Sequence, residues 1–391
     1  MKSRFPVDRA EKRQTLLRMV ENVRDILAAG TNAGEELRTL PAASVAALRD
    51  SGLLLLKTPA ALGGAEADPV TQLDIIEAVS YIDSAAGWCF FIGAAGMGMA
   101  GAFLADAVVA QMFSGDHIPT VAGAVMPGRA VPVPGGYRVT GRWSWASGIC
   151  HAEWVLGNTL VFREPERPPE LRACYFPITQ VEVHDNWQVM GMKGTGSCDF
   201  SVSDLFVPED FTYNFQTSRP RRGGPLYQLG FPGFIINEPP AFVLGVARRA
   251  LDEIITLAQS KRRGYGKQTS LAERAVFQRT IAESDLKLRA ARALMVEVLE
   301  KAWTIVSTGG QAGPALQAEM RSAASLVTDV ALEVTTSAFR YGGGTAVFLP
   351  HILQRCLRDL YTAASHLTVS DVSYENYGQF LLGLPGADPM N

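Results

Sequence analysis

Apolar residues at Leu16, Met19, Val20, Val23, Ile26 and Leu27 recur at the spacing of one helical face, with Arg18, Glu21 and Arg24 between them. This pattern predicts an amphipathic helix near the start of the chain. A second helix is expected from about Ala42 to Asp50, stopping at Ser51-Gly52, and Asp68-Pro69 opens a third, because proline is tolerated in a first helical turn. From Ser84 to Leu104 there is no charge, and 21 residues are long enough to span a bilayer. Five of them are glycine (Gly87, Gly93, Gly96, Gly98, Gly101), many others are alanine, and neither flank carries a Lys/Arg cluster. The stretch therefore reads as a helix buried on all sides within a large helical domain.

The period changes after Gly115. Between about Pro119 and Pro208 short alternating segments take over: Pro134-Gly135-Gly136 turns into Tyr137-Arg138-Val139-Thr140, and Val181 with Val183 and Phe200 with Val202 alternate in the same way. A small β-domain is expected here, with Arg163 to Glu170 as a surface loop. Helices return from about Glu238. Ala247, Leu251, Ile254, Ile255 and Ala258 share one face, a long helix is expected from Ala272 through Thr308, another from Pro314 to Tyr341, and a last one starting near Pro350. The order predicts an α+β chain: an N-terminal α-helical domain over residues 1–117, a middle β-sandwich or barrel domain over 118–236 and a C-terminal four-helix bundle over 237–391.

Charge narrows the partners. Lys plus Arg number 36 against 39 Asp plus Glu, a net charge of −3, so no basic field recruits nucleic acid or an anionic membrane. Five cysteines, an odd number without a C-x-x-C pair, argue against a disulfide framework and against zinc. The N-terminal residues lack the apolar core of a secretory signal, and a reducing, cytoplasmic location is expected.

Candidate chemistry begins with glycine. Gly191-Met192-Lys193-Gly194-Thr195-Gly196 is reversed relative to G-x-G-x-x-G and lacks the following helix that a phosphate-binding turn requires. Gly342-Gly343-Gly344 reads as a break between two helices. The five histidines (His117, His151, His184, His351, His366) show no metal-ligand spacing. More informative is Arg142-Trp143-Ser144-Trp145-Ala146-Ser147-Gly148: in a strand, Trp143, Trp145 and Ser147 share one face, as a stacking platform for a planar ring with a hydroxyl beside it. The same spacing also suits an aromatic β-domain core.

These segments resemble the acyl-CoA dehydrogenase fold superfamily. Leu40 through Gly64 (LPAASVAALRDSGLLLLKTPAALGG) resembles its N-terminal helix pair, and Gly135 to Gly148 (GGYRVTGRWSWASG) its flavin-contacting strand. Met190 to Asp210 resembles the strand pair closing the β-domain, and Leu353 to His366 (LQRCLRDLYTAASH) the final bundle helix. The resemblance implies a homotetramer with flavin held between β-domain and bundle.

The branch it implies is the two-component flavin monooxygenases. A dehydrogenase of this superfamily needs a carboxylate base, and where it commonly falls this chain reads RDLYTAASHL (Arg358 to Leu367), with Glu375 about nine residues late. The run Ser147, Gly148, His151 and Trp154, the GTGS at Gly194 to Ser197, RD followed by His366, and the ending Tyr374, Tyr377, Gly378, Leu381, Leu382, Gly383 resemble the monooxygenase branch. That implies reduced flavin, FMN or FAD, supplied by a separate NAD(P)H flavin reductase, and O2 to oxygenate a small aromatic or amino substrate. Met126, Trp145, Ser147 and Arg262 would contact flavin, the last through Arg262 with Tyr265-Gly266-Lys267, which also reads as a solvated basic helix end. Ser147 and His366 would be catalytic, His366 as the base or the group stabilising the oxygenated flavin. Phe90, Phe91 and Gly96 would line the substrate pocket, and at Gly93 to Met97 this chain lacks a further histidine that many members carry. An acyl-CoA dehydrogenase with another base and a silent flavin-binding scaffold are the alternative readings.

Overall fold

The computed structural model describes residues 4–163, 168–263 and 269–390. Five helices come first: α1 (Arg9–Leu37), α2 (Ala42–Asp50), α3 (Pro69–Ile82), α4 (Ser84–Phe103) and α5 (Asp106–Met112). Their starts follow local chemistry. The Asp8 carboxylate accepts the Glu11 N–H, and Asp68 accepts those of Val70 and Thr71, leaving Pro69 at a position where no N–H is needed.

Seven strands form one sheet: β1 (Val121–Val133), β2 (Gly136–Trp143), β3 (Trp154–Val161), β4 (Glu170–Pro177), β5 (Glu182–His184), β6 (Asp199–Pro208) and β7 (Thr212–Asn214). Their spatial order is β5-β6-β2-β1-β3-β4-β7, antiparallel except for the parallel pair β1 and β3. Trp143 sits at the centre of the sheet's core, stacked on Phe200 with ring centroids 4.9 Å apart and donating its indole N–H to the Asn158 carbonyl at 2.8 Å. Of the loop expected over Arg163 to Glu170, residues 164–167 lie outside the described residues, and Glu170 already begins β4.

Helix α6 (Glu238–Ser260) is followed by a two-residue strand pair, β8 (Arg262–Arg263) with β9 (Thr269–Ser270). Then come α7 (Ala275–Ser307), α8 (Pro314–Gly342), α9 (Ile352–Ala363) and α10 (Val372–Leu381). The single last helix expected from Pro350 is thus two helices, α9 and α10, with a short turn between them.

By contact the chain divides into two compact units that do not coincide with the order helices, sheet, helices. One holds residues 1–67, 88–189 and 193–227, so the first helices and the sheet share it. The other holds 68–87, 190–192 and 228–391, so α3 packs with the C-terminal helices. Gly245 lets α6 approach α3, because a Cβ there would collide with the Glu77 carbonyl.

The uncharged stretch forms α4, and its apolar window is 83% buried inside the protein. Its glycines serve close packing: a Cβ at Gly98 would lie 2.9 Å from the Lys57 side chain, and one at Gly101 2.8 Å from Pro59.

Candidate active site

In the unit that contains the sheet, β2 ends at Trp143 and the backbone leaves extended geometry. Trp145 adopts a left-handed conformation, φ 67°, and its side chain is 64% exposed. The expectation that Trp143, Trp145 and Ser147 share one strand face is therefore corrected: Trp143 is core, and Trp145 lies beyond the strand. Left-handed backbone is unfavourable for a bulky residue and is found where the surroundings over-determine it, commonly at functional positions.

Ser147 is buried, and its hydroxyl is partnered on two sides. The Trp88 Nε1–H, which can only donate, reaches Ser147 Oγ at 2.9 Å, and Ser197 Oγ lies 2.7 Å away. Ser197 continues to Thr195 Oγ1 at 2.6 Å, giving a chain from Trp88 through Ser147 and Ser197 to Thr195. Backbone fixes the chain in place: Gly148 N–H donates to Thr195 O at 2.8 Å and Ala146 N–H to Cys198 O at 3.2 Å. The GTGS segment thus acts as the clamp of the Ser147 turn. Sequence reasoning singled out Ser147 and missed Trp88, whose role needs the pairing of α4 with this turn.

Gly148, φ 81°, completes the turn, and a Cβ on it would meet His151 Nε2 at 3.1 Å. His151 Nδ1 lies 3.4 Å from Thr39 Oγ1, and burial lowers its pKa to about 4. A cavity of about 20 Å³, lined by His151, Cys89, Gly93, Thr120 and aliphatic side chains of α2 and its neighbours, has room for one water. The neutral ring packs against Gly148.

The other expected residues of this unit separate. Met126 is exposed in an irregular stretch where the β1–β3 register shifts between Ala124 and Gly128. A Cβ at Gly128, two residues on from Met126, would strike the Trp143 ring. Phe90 and Phe91 are buried, Phe91 edge-on to Trp88 at 4.8 Å. Gly96 packs on β1: a Cβ there would lie 2.7 Å from Val121 Cγ1, and Tyr175 Oη donates to its carbonyl at 2.9 Å.

His366 belongs to the second unit. It does not continue α9, as the resemblance of Leu353 to His366 to a helix implied. The helix ends at Ala363, and His366, with extended backbone, caps the turn Leu367–Val369. Its Nδ1 accepts the Thr368 backbone N–H at 3.3 Å and lies 2.8 Å from Thr368 Oγ1. A backbone N–H only donates, so this contact suits the tautomer in which Nδ1 carries the lone pair and the neutral ring holds its proton on Nε2. Burial lowers the His366 pKa to about 4, which keeps the ring neutral near pH 7.

The buried carboxylates of this unit are already engaged. Asp359 accepts from Ser84 Oγ and from Met192 N–H at 2.6 Å. Asp83 accepts from Ala85 and Ala86 N–H at the start of α4, and its pKa is raised to about 6, first by burial and also by nearby Asp359. Glu375 is exposed on the first turn of α10. Arg262 is exposed in β8, and Tyr265-Gly266-Lys267 lie outside the described residues.

A family model described as acyl-CoA dehydrogenase, C-terminal domain, matches residues 240–371. Indole-3-acetate monooxygenase of Pseudomonas putida is 29% identical over 347 residues, 87% of either chain. Pigment production hydroxylase of Rhodococcus sp. (strain ATCC 21145) is 31% identical over 367 residues, covering 91% of this chain and 93% of that protein. The chain belongs to the two-component flavin-dependent monooxygenases of acyl-CoA dehydrogenase fold. The fold of this oxygenase is shared by XiaF from Streptomyces sp., solved in complex with FADH2 and glycerol, at 23% identity and a TM-score of 0.89 over 98% of each chain. Asp83 caps the start of α4, Asp359 accepts from Ser84 and Met192, and buried Asp74 pairs with Arg292.

Proposed function

We propose that this oxygenase takes reduced FMN or FAD from a separate NAD(P)H flavin reductase, works as a homotetramer, and inserts one oxygen atom of O2 into a small aromatic substrate. Bound reduced flavin supplies the activation of O2. The residues present fit such a group: exposed Trp145 and Met126 offer apolar surface to a planar ring, beside a buried serine with hydrogen-bonding capacity left. Trp88 occupies one lone pair of Ser147. When Ser197 donates to Ser147, the Ser147 proton is free to point outward to a ring nitrogen. Arg262, exposed beyond α6, is assigned to the cofactor's phosphate end. Phe90, Phe91 and Trp88 form the apolar wall that keeps water from the reacting oxygen.

The observation that carries the catalytic assignment is the hydrogen bond from Thr368 N–H to His366 Nδ1. It supports the tautomer with the proton on Nε2, and of the two roles open to His366 we assign donation to the reacting oxygen over proton abstraction. The test is a pair of variants. His366→Ala is expected to lower coupled product formation roughly 10²-fold, the scale for losing a preorganised donor, with the lost oxygen appearing as hydrogen peroxide. His366→Gln, which keeps an N–H donor, is expected to recover at least about tenfold of that loss. Equal loss in both variants would assign His366 as a base and overturn the donor role.

A further inference from the structure

Arg321 lies in α8, is 2% exposed, and has no carboxylate partner among the described residues; burial alone lowers its pKa. A guanidinium taken from water without a counter-charge is unfavourable unless its donors are used. Two are used on backbone oxygens. Nη1 donates to Pro389 O at 3.0 Å in the C-terminal tail, and Nη2 to Leu367 O at 3.3 Å, the carbonyl next to His366.

Arg321 heads a polar stripe on one face of α8. Ser325 Oγ donates to Ser370 O at 3.2 Å, Ser322 Oγ to Ser373 O at 2.7 Å, and Ser373 Oγ to Ser325 Oγ at 2.7 Å. One turn further, Asp329 accepts from Tyr374 Oη at 2.6 Å. Positions 321, 322, 325 and 329 fall on the same side of a helix. The segment they grip, from Leu367 to Tyr374, runs from the link after α9 into the first turn of α10 and gives three of its carbonyls to these side chains. A link that carries a functional imidazole is held here by one helical stripe and by the chain's own tail.

We propose that Arg321 is a positioning residue for His366: by holding Leu367 O and Pro389 O together it fixes the turn whose Thr368 N–H locks the imidazole with Nε2 as donor. The assignment rests on the donor role given to His366 above, and its geometric part stands apart from that role. The experiment compares Arg321→Met and Arg321→Lys by crystal structure and by the ratio of product to hydrogen peroxide. In Arg321→Met the His366 ring is expected to leave Thr368 and coupling to fall about tenfold, while the dissociation constant for reduced flavin changes less than about twofold. Arg321→Lys, which keeps a cation and can reach one carbonyl, is expected to restore the ring and most of the coupling.

Should Arg321→Met not fold, deletion of residues 385–391 removes the Pro389 acceptor while leaving that of Leu367, and is expected to give the same displacement in weaker form. A lowered melting temperature with the His366 ring in place and coupling unchanged would overturn the proposal. A displaced ring with unchanged coupling would leave Arg321 as the anchor of the turn and strike the donor role of His366 instead, so the two failures are distinguishable.

Discussion

Trp143 donates to Asn158 O, stacks on Phe200 and is fully buried, whereas Trp145 sits two residues on in left-handed backbone with its ring exposed. Their substitutions should therefore separate stability from binding. Trp143→Phe leaves the Asn158 carbonyl without its donor and opens space in the sheet core, so it is expected to destabilise the protein by about 1–3 kcal/mol in denaturant unfolding. Trp145→Gly relieves left-handed strain of roughly 1–2 kcal/mol, offset in part by glycine's greater unfolded entropy, so the melting temperature is expected to stay level or rise. Reduced-flavin affinity should fall about tenfold, the scale of one lost aromatic contact. Unchanged flavin affinity in Trp145→Gly would remove Trp145 from the cofactor site. The spacing of Trp143, Trp145 and Ser147 made the cluster visible in the sequence, but assigning all three to one face assumed the strand ran on. No glycine or proline stands between Trp143 and Ser147 to mark its end, and the glycine that shapes the turn, Gly148, comes after them.

Helix starts and stops were legible wherever a cap carried the signal: Asp68-Pro69 opens α3, and Ser51-Gly52 ends α2 as expected. The break between α9 and α10 was not legible, because TAASH contains neither glycine nor proline and a histidine rarely marks a cap. The α8 stripe was equally hidden, since serine inside a helix reads as neutral until its carbonyl partners are placed. Between α3 and α4, Asp83 supplies a pH test. Its folded-state pKa of about 6 lies above the ordinary 3.8, so the native state binds this proton more tightly than the unfolded chain. Stability from this group is therefore fully present below about pH 4 and is lost as pH rises through about 6. Asp83→Asn keeps an oxygen for the Ala85 and Ala86 N–H groups and removes the titration. Unfolding free energy of wild type relative to Asp83→Asn is expected to drop by on the order of 3 kcal/mol between pH 4 and pH 7. Parallel curves across that range would show that Asp83 is not the titrating group.

For the whole molecule, composition and element order were enough to place an α+β chain with a sheet between helical segments, and motif order was enough to place the superfamily. The compact units were harder to foresee: α3 joins the C-terminal helices through contacts such as Tyr81 Oη to Asp252 at 3.0 Å and Arg292 to Glu77 at 2.8 Å, pairs more than 170 residues apart in sequence. A cofactor that arrives reduced has to be bound reversibly, so the purified protein is expected to be largely flavin-free and to lack NAD(P)H oxidase activity of its own. Stoichiometric oxidised flavin on purification, bleached directly by NADH, would contradict this. The central claim, that an oxygen atom from O2 is transferred on reduced flavin delivered from outside, is tested most directly by isotope. The protein, chemically reduced flavin and a panel of phenols and indoles are mixed with ¹⁸O₂ in the absence of reductase, and products are read by mass spectrometry. The account predicts a product carrying one ¹⁸O per molecule; a product whose new oxygen comes from water would contradict it.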